Sequence, residues 1–174
     1  IGLARKMSCR DVPDAVPFVI LLHDFAADRS QWDSYVKIFT DAGLAVLQYD
    51  MRGFGESRLP RVSGDRTSYL NSLVNDVPAL IEYIRNQPRS EGQLIHMVGL
   101  GLGANIAFVA NGSGLGIAQT VLIAPNSQDG LPDGAAVEHF QATDVFGLTN
   151  EAGRPAMDML MARTAEPKQV TDVL

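Results

Sequence analysis

Cysteine is almost missing from this chain: Cys9 is the single one in 174 residues. One thiol rules out an internal disulfide framework and any metal site built from several cysteines. Cys9 itself reads as an incidental or buried thiol rather than a reactive one. Histidine is scarce too. His23, His96 and His139 lie far apart in the chain, and none has a neighbour at the spacing of a metal ligand set. No metal and no cofactor are expected. Basic residues number 14 against 20 acidic ones, for a net charge of −6. Nucleic acid is therefore not an expected partner, because phosphate binding needs a basic footprint. No apolar run reaches the roughly 18 residues of a membrane span. No export signal is evident, so a soluble, cytoplasmic chain is the expectation. The sequence opens at Ile1 rather than at methionine, which is compatible with truncation at both ends and with a signal lying outside it.

Apolar residues are plentiful, at 46%, and they come in short runs. Residues 18–23 (FVILLH), 44–49 (LAVLQY), the run entering the turn at 99 and residues 120–124 (TVLIA) suit strands covered on both faces. A peripheral strand is expected within residues 1–9, a weaker one at 138–143 and a last one at 168–174, with loop over 144–153. Between these, Trp32, Tyr35, Val36 and Phe39 fall at helical spacing. Leu70, Leu73, Val74, Val77, Leu80, Ile81 and Ile84 form an apolar stripe over residues 69–86, where Pro78 predicts a kink or a break. A further helix is expected from 104 to about 112, and Pro155 suits the first turn of another running to about 163. Alternation without repeats or a linker predicts one α/β domain over 1–174: a mostly parallel sheet with helices on both faces. A strand at 168–174 would leave an exposed edge, a natural seam for a homodimer.

The stretch 94–110, LIHMVGLGLGANIAFVA, reads as strand, glycine-rich turn and helix. Gly99, Gly101 and Gly103 match G-x-S-x-G, the nucleophile elbow, except that Gly101 stands where the serine would be. The same residues with Ala104 satisfy G-x-G-x-x-A, a dinucleotide fingerprint that places phosphate on helix N-terminal amides. Against that reading, at least two strands and a helix come first, and residues 119–125 hold no carboxylate for a ribose. The plainest alternative is a turn that needs glycine for packing alone.

Two further segments accompany the turn. Leu21-Leu22-His23-Asp24-Phe25 follows the first buried strand, and Asp50-Met51-Arg52-Gly53-Phe54-Gly55-Glu56-Ser57 follows the second. Together the three segments resemble the α/β-hydrolase fold, in particular its small lidless esterase-like members. Their order and spacing match, and the resemblance covers residues 18–174. It implies acyl transfer to a serine, assisted by a histidine, an orienting acid and an oxyanion hole. Carried over residue by residue, the oxyanion donors are the N–H groups of Phe25 and Leu102. The acid maps onto Asp144. The nucleophile position is Gly101, which has no attacking atom, and no histidine follows the last strand up to Leu174. Asp24 replaces a small residue of the first motif and would repel a developing oxyanion if it points inward. The other candidates do not restore the triad: His23 belongs to the oxyanion loop, His96 lies inside the central strand and His139 precedes Asp144. Ser57, Ser113 and Ser127 stand at no elbow. The expected function is that of an α/β-hydrolase-like protein with a degenerate site, non-catalytic or binding a small ester or acyl ligand at the strand carboxyl ends. An active serine esterase of carboxylic esters, seen as an altered or partial chain, is the alternative; a dinucleotide-binding protein is the second.

Overall fold

A computed structural model describes residues 2–11, 15–57, 60, 64–125, 144–149, 154, 158 and 169–172. The apolar runs form β2 (Phe18–Leu22), β3 (Ala45–Tyr49), β4 (Ile95–Leu100) and β5 (Gln119–Ile123). With β1 (Arg5–Ser8), β6 (Asp144–Thr149) and β7 (Gln169–Asp172) they make one sheet in the order β1-β3-β2-β4-β5-β6-β7. Every neighbouring pair is parallel except β1 with β3.

Strands β2 and β3 are buried at every residue, and the period of two sorts their side chains onto two cores. Phe18, Ile20, Leu22, Leu47, Tyr49 and Met97 face α2 (Arg66–Val74), α3 (Val77–Arg85) and α4 (Leu102–Gly112). Val19, Leu21, Val46 and Val98 face the other way, against Trp32 and the flanking Val36 and Phe39 of α1 (Asp33–Asp41). Each such aliphatic side chain contributes about 1.5–3 kcal/mol by leaving water. That is why continuous apolar runs, rather than alternating ones, mark these strands.

The stripe over residues 69–86 is two helices, not one. Pro78 lies in the first turn of α3, where no helical N–H is forfeited, and α2 has its own cap, Asp65, which accepts from the Ser68 N–H at 2.8 Å. The last quarter of the chain differs from the expectation. Residues 144–149, expected as loop, form β6, while the strand expected at 138–143 lies outside the described residues. Asp144 therefore begins a strand: it pairs with Gln119, the first residue of β5, and Leu148 pairs with Ile123, the last. Of the helix expected from Pro155 to about 163, Asp158 is helical, as is Arg154 just before Pro155, and the two are joined by an ion pair at 3.0 Å; the rest lies outside the described residues. The last strand, β7, ends the sheet order as expected. No described helix is long and apolar enough to cross a membrane.

Candidate active site

Parallel strands bring the turns that follow β2, β3 and β4 to one end of the sheet. The turn after β4 is the sharpest. Gly101 has φ +57° and ψ −116°, a conformation that a residue with a side chain adopts only under strain. Its N–H donates to the Ile123 carbonyl at 3.0 Å, and its own carbonyl accepts from Ala104 N–H at 3.1 Å, so the helix starts directly off the sheet. The backbones touch on either side. A Cβ on Gly99 would lie 2.2 Å from the Gly103 oxygen, and one on Gly103 would lie 2.3 Å from the Leu22 oxygen.

Asp24 fills this turn. The N–H groups of Phe25 and Leu102 both donate to Asp24 Oδ1, at 2.7 and 3.0 Å. The two amides thus converge on one oxygen, as an oxyanion cradle requires, but that oxygen belongs to the protein. A Cβ on Gly101 would stand 1.9 Å from Asp24 Oδ1 and 2.3 Å from its Cγ. The carboxylate and a side chain at position 101 claim the same space. Gln31 holds the arrangement from behind, its Oε1 accepting from the Asp24 N–H at 2.8 Å. Nothing in the periodicity of residues 31–42 marked Gln31 for this task.

The loop after β3 is a scaffold. Asp50, buried, accepts from the N–H groups of Arg29 and Glu56, each at 2.8 Å, and from Arg29 Nη1 at 2.5 Å. Arg29 also reaches Glu56. A Cβ on Gly55 would lie 2.4 Å from the Asp50 carboxyl, so the glycine lets the loop close over it. Arg52 forks onto Asp76, with Nε donating at 2.8 Å and Nη2 completing the pair. Phe54 packs edge-on to both His23 and Phe25, with ring centroids 5.2 and 5.6 Å apart, which fixes this loop against the first.

The histidines are occupied or elsewhere. His23 is fully buried; its Nδ1–H donates to the Asp24 carbonyl at 2.7 Å, and Nε2 accepts from the Met51 N–H at 3.0 Å. With both ring nitrogens engaged it has no lone pair to offer as a base. Burial pushes its pKa below the ordinary value, against the opposing pull of the Asp24 carbonyl and the Asp50, Asp28 and Asp24 carboxylates. His96 pairs with Gln119 near the start of β4, the end away from the elbow, and burial lowers its pKa too. The Ser57 and Ser113 hydroxyls donate to the carbonyls of Gly2 (3.5 Å) and Val109 (2.8 Å). His139 and Ser127 lie outside the described residues.

Asp144 is not at this site. It opens β6 in register with Gln119, whereas the elbow follows Leu100, in register with Ile123. A strand's length of about 16 Å separates those two ends. The expectation rested on a strand drawn at 138–143; with β6 at Asp144–Thr149, an acid at the carboxyl end of this strand would have to come after Thr149. Among the described residues no group of three His, Cys, Asp or Glu converges as a metal site. In this structure a carboxylate of the chain itself stands on the Leu102 N–H at the start of α4, where the dinucleotide reading would put phosphate.

Residues 13–169 match the family model described as serine aminopeptidase, S33. An uncharacterized 31.7 kDa protein encoded in the traX-finO intergenic region of Escherichia coli is 28% identical over 157 residues, 89% of this chain and 49% of that protein. The chain thus spans about half the length of the curated relatives it matches. Among solved structures, a hypothetical protein of Pseudomonas aeruginosa superposes with a TM-score of 0.82 at 12% identity, over 98% of this chain and 81% of that one. Est1E of Butyrivibrio proteoclasticus, solved with ferulic acid bound, gives 0.76 at 13%, over 98% and 85%. The enol-lactonase of Burkholderia xenovorans gives 0.74 at 13%, over 98% and 87%. At these identities the structural likeness speaks for the fold.

Proposed function

This chain belongs to the serine aminopeptidase S33 family, within the α/β hydrolases, and we propose that it is a member whose elbow binds rather than performs acyl transfer. One observation carries the proposal: Asp24 Oδ1 accepts from both cradle amides and fills the space of a side chain at Gly101. Acyl transfer needs a nucleophile beside a base, and donors free to receive the negative charge that develops on the substrate oxygen. Here the attacking atom is replaced by hydrogen, and the donors are engaged by a carboxylate whose charge opposes the one they would have to stabilise. Losing a single oxyanion donor costs an enzyme about 2.7–4 kcal/mol of barrier lowering. Two engaged donors and no nucleophile leave the site without its principal means of catalysis.

The carboxyl end of a parallel sheet remains the place where such folds hold ligands. Phe25, partly exposed, and Phe54 beneath it supply an apolar flank there. A small ester or acyl molecule is the proposed ligand. The purified chain should release no p-nitrophenol from p-nitrophenyl acetate or butyrate above a heat-denatured control. Turnover that follows the folded protein would instead favour an active serine esterase using another attacking group, and the binding proposal would fall.

A further inference from the structure

Asp24 does something that loss of a nucleophile does not require. A glycine at position 101 alone would leave the cradle open to water or ligand. Instead a carboxylate enters it from the turn after β2, 78 positions away from Leu102 in the chain. Its main chain is pinned by Gln31, and its charge faces the first turn of α4, an eleven-residue helix, whose dipole favours an anion there. No Lys or Arg pairs with Asp24 among the described residues. The carboxylate is held by the same two amides that would hold the oxygen of a bound carbonyl or carboxylate.

We propose that Asp24 is a built-in plug: the chain's own carboxylate closes the two-amide cradle against small carboxylates and carbonyl ligands, and Gly101 is the residue that makes room for it. This rests on the reading of the elbow as a ligand site without hydrolysis and adds how that site is regulated. A tethered carboxylate is present at an effective concentration far above that of a free acid. An outside ligand engages the amides only when the Asp24 side chain turns away. Turning it away frees both donors at once, because both converge on one oxygen.

The test is a titration of the full chain with sodium acetate, read from the backbone amide signals of Phe25 and Leu102 by NMR. In Asp24→Ala both signals are expected to shift together and saturate, with an apparent affinity at least tenfold above that of the unchanged protein. Asp24→Asn, which keeps an acceptor oxygen in place, is expected to stay closed like the unchanged protein. Asp24→Gly repeats the measurement if the alanine variant folds poorly. The plug is overturned if Asp24→Ala and the unchanged protein respond alike, whether both bind acetate or neither does. That outcome is separate from the ester assay: an acetate-blind Asp24→Ala chain without turnover removes the plug and leaves the non-hydrolytic reading standing.

Discussion

Two carboxylates end neighbouring strands of this sheet, Asp24 after β2 and Asp50 after β3, and each accepts from two backbone N–H groups. Their surroundings separate them. Asp50 is buried and shares its charge with the Arg29 guanidinium, tying the loop of residues 50–57 to the segment that leads into α1. Asp24 is half-buried, has no cation among the described residues and stands on the two amides proposed to receive a ligand oxygen. The same group with the same kind of donor is a weld in one place and an occupant in the other. A weld cannot be removed without collapse of its loop; an occupant can be exchanged.

Asp50→Ala should have the largest effect. It leaves Arg29 and two loop amides without their acceptor, and about 3–5 kcal/mol of unfolding free energy should be lost in urea denaturation. Gly101→Ala comes next, at about 3 kcal/mol, from positive-φ strain and from a Cβ driven into Asp24. Asp24→Ala should cost about 1–2 kcal/mol, close to the loss of a helix cap, because water can reach the freed amides. If it costs as much as Asp50→Ala, the contrast between weld and occupant is wrong.

The smallest effect is one of pH. His23 has a folded pKa below its unfolded one, with His96 shifted the same way. The unfolded chain then binds more protons, so stability is complete above the unfolded histidine range and falls as pH drops through about 6.5. A thermal midpoint that declines from pH 7 to pH 5.5, with a shallower decline in His23→Asn, is the expected result. A midpoint flat over that range would mean that the buried imidazole titrates as freely as an exposed one.

Much of the fold was legible because its strands are buried on both faces. FVILL is a continuous apolar run and AVLQY is interrupted only by Gln48, and Pro78 marked the break between α2 and α3. The elbow was legible from the spacing of Gly99, Gly101 and Gly103, which close backbone contacts and a positive φ require. β6 was read as loop for a physical reason: DVFGLT has a glycine inside it and a polar residue at each end, so it lacks the continuous apolar run that marks β2. With it went the position of the acid, since Asp144 moved from the end of a strand to its beginning. Asp24 stood out as a departure from the motif, but where its carboxylate points depends on Leu102 and Gly101, contacts that no local pattern encodes. Gln31 and Arg29 gave no signal for the same reason.

The central claim is that Asp24 and a side chain at position 101 exclude each other, and a double-mutant cycle on unfolding free energy tests it most directly. Gly101→Ala should be strongly destabilising in the unchanged chain and, in the Asp24→Gly background, should retain only the cost of its backbone conformation. The predicted coupling is about 1 kcal/mol or more, with Asp24→Gly rescuing Gly101→Ala. Additivity within about 0.3–0.5 kcal/mol would contradict the account, because it would mean that the carboxylate does not occupy the place of the missing side chain.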